Sequence, residues 1–131
     1  MSGQEKKTIL VVDDDPDIQE FCRTILEAAG YEVVSALAAQ EGRRRMAEGR
    51  PDLVVLDVMM ETADAGFEMA MWLGREHPGL PVIMLSSIAD AADQVFDTSA
   101  LPVSVLVNKP MTPKELLRQV EMLLAVSQEQ E

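Results

Sequence analysis

Five short apolar runs, rich in β-branched residues, alternate with helical patterns along the chain, and this alternation constrains the fold most. Each run is long enough for a buried strand but too short for a helix. Strands that alternate with helices form a parallel sheet with helices on both faces. The sequence therefore predicts a doubly wound α/β domain with five parallel strands and five helices. The predicted strands are Thr8–Val12, Glu32–Ser35, Asp52–Leu56, Pro81–Leu85 and Val103–Val107.

The order of these strands is restricted by the handedness of their connections. Right-handed crossovers leave few topologies, and the order 2-1-3-4-5 is the common one for five strands. In that order the chain reverses direction between the first and third strands, and ligands bind in the crevice at the carboxyl ends of those strands. The residues that end the strands are therefore the candidates for a functional site.

Capping signals mark the ends of the predicted helices. Asp15 followed by Pro16 is typical of an N-cap with proline at the first helical position, and Gly30 is a C-terminal stop. Thr112 and Glu115 have the spacing of a capping box before the last helix. The stretch Val58–Ala65 has no clear period, which predicts a loop. The remaining predicted helices cover about Ala38–Glu48, the apolar stretch from Phe67 to Leu73, and Ile88–Phe96.

The length of 131 residues indicates one domain, which we place at residues 8–126 between an N-terminal tail, 1–7, and a polar C-terminal tail, 127–131.

Eleven Lys and Arg against 23 Asp and Glu give a net charge of −12. This charge argues against unspecific nucleic-acid binding, and the basic run Arg43–Arg45 is interpreted as a solvated helix face. The sequence shows no membrane span or signal peptide, and its single Cys22 suits a reducing compartment, so we expect a cytoplasmic protein without membrane contacts.

Charged and hydroxyl side chains follow the predicted strands at the carboxyl edge of the sheet. Asp13 and Asp14 end the first strand, and Asp57 ends the third. Two like charges about 4 Å apart cost roughly 1 kcal/mol in water and about 4 kcal/mol near a protein surface, so this cluster calls for a cation. Carboxylate oxygens without His or Cys favour Mg²⁺, Mn²⁺ or Ca²⁺. With Ser86 after the fourth strand and Lys109 after the fifth, the set is suited to bind a phosphoryl group, which a carboxylate can accept as a nucleophile.

Over about Thr8–Val126 the chain resembles the response-regulator receiver domains of bacterial two-component signalling, of the single-domain type. The matching stretches are ILVVDDDPDI, PDLVVLDVMM, PVIMLSS and NKPMTPKELL. The resemblance implies the flavodoxin-like fold and a phosphorelay function. Asp57 would accept a phosphoryl group from a histidine of a sensor kinase or phosphotransfer protein, and would also be a metal ligand. The domain would catalyse its own phosphorylation and dephosphorylation without being an enzyme in the usual sense.

The resemblance also implies roles for the other residues at the strand ends. Asp14 would bind Mg²⁺ directly and Asp13 through water, the backbone carbonyl of Met59 would be a further ligand, and Mn²⁺ could replace Mg²⁺. Ser86 would hydrogen-bond the phosphoryl group and Lys109 would pair with it. Phosphorylation would change contacts with a downstream protein, and the resemblance places this output surface at approximately Ile88–Val126, where a homodimer could also form. Because only five residues follow the predicted last helix, output is expected through protein contact or within a larger relay.

Some positions depart from the receiver pattern. Glu61 stands where receivers usually have proline, and the loop Glu61–Gly66 implies a one-residue insertion beside the site. Leu106 replaces the usual aromatic switch residue. Met59 and Ile88 are apolar where polar side chains can orient a hydrolytic water, which leads us to expect slow autodephosphorylation.

Three other readings stay open at this point. A pseudo-receiver would have the same fold and act as a phosphorylation-independent interaction module. A phosphatase with an aspartyl nucleophile would need a second aspartate two residues beyond Asp57, where this chain has Met59. A nucleotide-binding flavodoxin-like protein would need a glycine-rich phosphate loop after the first strand, which the sequence lacks.

Overall fold

The computed structural model describes residues 6–57, 65–86, 105–108 and 112–129. Five strands form one sheet in the order β2-β1-β3-β4-β5, and every neighbouring pair is parallel. The parallel α/β architecture expected from the alternating pattern is therefore confirmed. The strands are β1 (Thr8–Val12), β2 (Glu32–Ala36), β3 (Leu53–Asp57), β4 (Val82–Ser86) and β5 (Val105–Asn108).

Within the described residues the chain forms four helices, and the predicted helix over Ile88–Phe96 lies outside them. None of the helices in these ranges is long and apolar enough to cross a membrane. The helices are α1 (Pro16–Ala28), α2 (Ala39–Glu48), α3 (Ala65–Glu76) and α4 (Pro113–Glu129).

The sheet separates two hydrophobic clusters, because successive side chains along a strand point to opposite faces. Leu10 and Val12 of β1 face the cluster that includes Met46 of α2 and Leu73 of α3. On the other face, Ile9 and Val11 pack in the cluster with Cys22 and Leu26 of α1 and with Leu116 and Val120 of α4. Burial on both faces explains why the strands are almost continuously apolar.

The predicted caps are confirmed. The carboxylate of Asp15 accepts a hydrogen bond from the Asp17 amide at 2.9 Å and caps α1. Gly30 ends this helix with a φ of 98°, a left-handed conformation that glycine adopts without strain. At the start of α4, the Glu115 amide donates to the Thr112 hydroxyl at 3.1 Å while the Thr112 amide donates to the Glu115 carboxylate at 3.0 Å.

Some element boundaries differ from those expected. Strand β3 begins and ends one residue later than predicted, so Asp57 is its last residue and pairs with Leu85. Asp52 precedes the strand, and its carboxylate accepts the Thr8 amide at 2.7 Å. Helix α3 begins at Ala65, so Ala65, the last residue of the loop predicted over Val58–Ala65, is helical, and so is the buried Gly66. The rest of that predicted loop lies outside the described residues.

The last helix is also longer than predicted. It continues to Glu129, past the expected start of the tail at Ser127, since neither glycine nor proline interrupts it there.

Helix α2 approaches the sheet closely at Gly42. A Cβ atom at this position would lie 2.8 Å from Cε of Met69 on α3 and 3.1 Å from a methyl carbon of Val12. Gly42 therefore lets α2 pack against α3 and β1 at a distance that no larger residue allows without a shift.

Candidate functional site

Three aspartates meet at the carboxyl edge of the sheet. Asp13, Asp14 and Asp57 each offer a carboxylate oxygen, and these three oxygens lie within 4.8 Å of one another. The side chains of Asp13 and Asp57 are buried, whereas Asp14 is exposed. Two carboxylates of the cluster are therefore shielded from solvent, and the third is accessible to it.

Strand register brings these residues together. Val12 at the end of β1 pairs with Ala36 on β2 and with Leu56 on β3. Asp13 follows Val12 and Asp57 follows Leu56, so the two aspartates are neighbours at the edge of the sheet. The Asp13 amide donates to the Ala36 carbonyl at 3.0 Å, which extends the contact with β2 by one residue. The Asp13 carboxylate in turn accepts the amide of Asp15 at 2.9 Å, and this bond turns the chain into α1.

The donor set suits a hard divalent cation. Three negative charges within 4.8 Å repel one another, and the two buried ones lose part of the hydration that would otherwise compensate. Mg²⁺ prefers carboxylate oxygens and keeps several waters, and the exposed Asp14 leaves one side of the cluster open to them. The residues present therefore fit a magnesium ion.

The other predicted site residues are only partly within the described ranges. Ser86 ends β4 and pairs with Asn108 at the end of β5, on the same edge of the sheet as the aspartates. The side-chain placement of Ser86 lies outside what the structure describes, as do Met59 and Lys109 altogether. Their assigned roles stay predictions.

Gln19 is a residue that the sequence pattern did not single out. It lies on α1 and is 7% exposed, and its Nε2 lies within hydrogen-bond distance of the carbonyls of Val11, Asp13 and Ala36. The amide nitrogen has two protons for these three acceptors, so at least one proton is shared between two carbonyls. The amide of Gln19 therefore contacts the backbone of Asp13, one of the three clustered aspartates. The available signal was its spacing, because it falls three residues before the buried Cys22.

Two of the three arginines of α2, Arg44 and Arg45, form ion pairs with carboxylates of the same helix. Arg44 is two-thirds exposed, at 67%, and its guanidinium lies 3.7 Å from the Glu41 carboxylate. Arg45 lies 3.6 Å from Glu41 and 3.4 Å from Glu48. Arg44 fits the interpretation of Arg43–Arg45 as a solvated helix face, whereas Arg43 and Arg45 are only partly exposed and the Nε atom of Arg45 is buried.

One family is similar to this chain over most of its length. The sequence model described as the response regulator receiver domain matches residues 9–121. A crystal structure of a CheY-like response regulator receiver domain protein from Methanospirillum hungatei superposes with a TM-score of 0.84 at 26% identity, covering 97% of this chain and 100% of that one.

Longer relatives are similar as well. The transcriptional regulatory protein GltR of Pseudomonas aeruginosa is 37% identical over 125 residues, which are 93% of this chain and 50% of GltR. A probable transcriptional regulator of Cyanophora paradoxa, ycf27, is 40% identical over 119 residues, 91% of this chain and 48% of that protein. The chain thus spans about half the length of these curated relatives.

Proposed function

The chain belongs to the response-regulator receiver family of two-component systems, and we propose that it accepts a phosphoryl group on Asp57 in a magnesium-dependent reaction. The phosphodonor would be the phosphohistidine of a sensor kinase or phosphotransfer protein. The observation that supports this most is the cluster of Asp13, Asp14 and Asp57, whose carboxylate oxygens lie within 4.8 Å at the switch point of the sheet.

The three aspartates differ in burial, and we assign them different roles. Asp57 is 4% exposed and belongs to a strand that is buried along its whole length, so its carboxylate is held at a fixed position. We assign to Mg²⁺ a direct ligand in Asp14, a water-mediated one in Asp13, and further ligands in Asp57 and the Met59 carbonyl. A bound Mg²⁺ supplies positive charge that offsets the charge of the phosphoryl oxygens.

The proposed step transfers a phosphoryl group from the donor nitrogen to Asp57 without oxidation or reduction. A carboxylate oxygen of Asp57 attacks phosphorus while the bond from phosphorus to the donor nitrogen breaks. The electron pair of that bond returns to the donor nitrogen, and the imidazole takes up a proton from solvent water. The Ser86 hydroxyl donates to one phosphoryl oxygen and the Lys109 ammonium pairs with another, so that both hold the group after transfer.

We propose that phosphorylation of Asp57 changes the affinity of the surface at 88–126 for a partner protein. In the longer relatives, which are transcriptional regulators, the matching region is about half of the protein. Cys22, the single cysteine, is buried and suits a reducing compartment, which supports a cytoplasmic location for the reaction.

Intact-mass spectrometry after incubation with acetyl phosphate and Mg²⁺ tests the proposal. The wild-type chain should gain about 80 Da, the mass of one phosphoryl group. Asp57→Asn should gain nothing, whereas Asp17→Asn, an exposed carboxylate on α1, should react like the wild type. A wild-type chain that gains no mass would instead favour the phosphorylation-independent interaction module.

A further inference from the structure

The amide of Gln19 connects three backbone carbonyls at the base of the aspartate cluster. Its Nε2 lies 3.0 Å from the Val11 oxygen, 3.0 Å from the Asp13 oxygen and 2.8 Å from the Ala36 oxygen. These oxygens belong to β1, to the residue that follows β1, and to the end of β2. One side chain of α1 therefore ties together the strand ends from which the cluster is built.

Gln19 is an unusual choice for the face that it occupies. The other buried residues of α1 are Cys22 and Leu26, and both belong to a hydrophobic cluster. Among the described residues the Oε1 atom of Gln19 is buried without a hydrogen-bond partner. A buried polar atom without a partner costs stability, so an apolar residue would suit this face better unless the N–H donors are needed.

The donors of Gln19 act on the peptide group that joins two of the aspartates. The carbonyl of Asp13 belongs to the Asp13–Asp14 peptide, and Gln19 holds that oxygen. The preceding peptide is held separately, because the Asp13 amide donates to the Ala36 carbonyl, which Gln19 also contacts. Both peptides that flank Asp13 are thereby fixed relative to β2.

We propose that Gln19 is a positioning residue for the cation site, and that its amide orients the Asp13–Asp14 peptide so that both carboxylates meet Asp57. This inference rests on the proposed function, because it assumes that the three aspartates bind Mg²⁺. Groups that orient metal ligands without touching the metal typically contribute about 10–100-fold to metal affinity. Within the described part of the chain, the hydrogen bonds of the Gln19 side chain go to backbone carbonyls, so it would act through the placement of the carboxylates.

The test compares Gln19→Met with Leu26→Ala in the full chain. Methionine is close to glutamine in size but donates no hydrogen bond. Leu26→Ala creates a cavity on the same buried face of α1, two turns farther from the aspartates, and controls for lost stability. Titration calorimetry with MgCl₂ should show a dissociation constant at least about tenfold higher for Gln19→Met and nearly unchanged for Leu26→Ala.

Phosphorylation kinetics separate positioning from general damage. With acetyl phosphate as donor, Gln19→Met should react slowly at limiting Mg²⁺ and recover most of the wild-type rate at saturating Mg²⁺. Should Gln19→Met not fold, Gln19→Asn, which is one methylene shorter, should show the same shift in Mg²⁺ dependence. Equal Mg²⁺ affinities of wild type and variant would overturn this inference alone, whereas a wild-type chain that binds no Mg²⁺ would overturn the proposed function with it.

Discussion

Asp13 and Asp57 are buried next to each other at the ends of β1 and β3, 0% and 4% exposed, although both carry carboxylates. The pairing of Val12 with Leu56 places them there, so the arrangement is a direct result of strand register. The carboxylates of Asp13, Asp57 and Asp14 repel one another when no cation binds, because they are like charges in a partly desolvated site.

Replacing one buried carboxylate should therefore stabilise the metal-free protein. Asp13→Asn removes a charge but keeps an oxygen that can accept the Asp15 amide, a bond of 2.9 Å. In EDTA we expect its free energy of unfolding to rise by about 1–3 kcal/mol, measured by urea denaturation. The same variant should lose most of the stabilisation that millimolar Mg²⁺ gives to the wild type.

Glu20→Gln is the control for this effect, since it removes an exposed carboxylate from α1 outside the cluster. Its unfolding free energy should stay within about 0.5 kcal/mol of the wild type in both EDTA and Mg²⁺. A metal-free Asp13→Asn protein less stable than wild type would contradict the repulsion argument.

The ionisation of Tyr31 should depend on Glu121. Burial raises the pKa of the Tyr31 phenol above its ordinary value of 10.0, and the negative charge of Glu121 on α4 raises it further. Glu121→Gln should therefore lower this pKa without returning it to 10.0, because burial remains. Ultraviolet absorbance of tyrosinate reports the titration unambiguously, since the chain has one tyrosine.

The direction of the shift also fixes its effect on stability. A raised pKa means that the folded protein holds the phenolic proton more tightly than the unfolded chain does. The resulting stability is fully present below pH 10.0 and is lost as the pH rises through the folded-state pKa. In Glu121→Gln the folded-state pKa of Tyr31 lies closer to 10.0, so stability should be lost over a narrower pH range. An unchanged tyrosinate titration would show that Glu121 does not act on Tyr31.

The capping box of α4 should contribute measurably to stability. Thr112→Ala removes the hydroxyl that accepts the Glu115 amide at 3.1 Å, and we expect a loss of about 1 kcal/mol. Thr112→Ser keeps an acceptor oxygen and should lose much less. Thermal melts of the three proteins followed by circular dichroism make the comparison, and equal melting temperatures for the alanine and serine variants would argue against the cap.

The close packing of α2 should make Gly42 intolerant of larger side chains. A Cβ atom there would lie 2.8 Å from Cε of Met69, and the branched side chain of Gly42→Val would also meet Val12. We expect a loss of about 1–3 kcal/mol in unfolding free energy. Gly49→Val is the matched control, because a Cβ atom at Gly49 meets nothing within 4 Å and the backbone is extended. Similar losses in both variants would refute the packing explanation.

The convergence of the aspartates could be predicted from sequence because it depends on few variables. Each aspartate follows an apolar run, and parallel strands bring their carboxyl ends to one edge. Once the strand order is known, the neighbours Asp13 and Asp57 are known too. The start of α3 at Ala65 is not predicted, although Asp64, a residue type favoured at N-caps, directly precedes it in the sequence, because the stretch before Phe67 shows no helical period.

Gln19 and Gly42 show what the sequence alone does not contain. A glutamine on an amphipathic helix is usually solvated, whereas the three carbonyls near the amide of Gln19 belong to β1, to the residue that follows β1, and to β2 on the far side of α1 in the sequence. Gly42 in a helix looks like a weak point until the approach of Met69 and Val12 is seen. Both depend on the distance between packed elements, which hydrophobic periodicity does not specify.

Each of the two hydrophobic clusters, one on either face of the sheet, has one aromatic residue whose absorbance or fluorescence can be followed separately. Trp72, the single tryptophan, packs against the cluster under α2 and α3, whereas Tyr31 packs against the cluster under α1 and α4. Fluorescence from Trp72 and absorbance from Tyr31 therefore follow the loss of packing on opposite sides of one sheet. Coincident denaturation curves would mean that the sheet transmits unfolding as a single cooperative event, and separated curves would mean that one layer melts before the other.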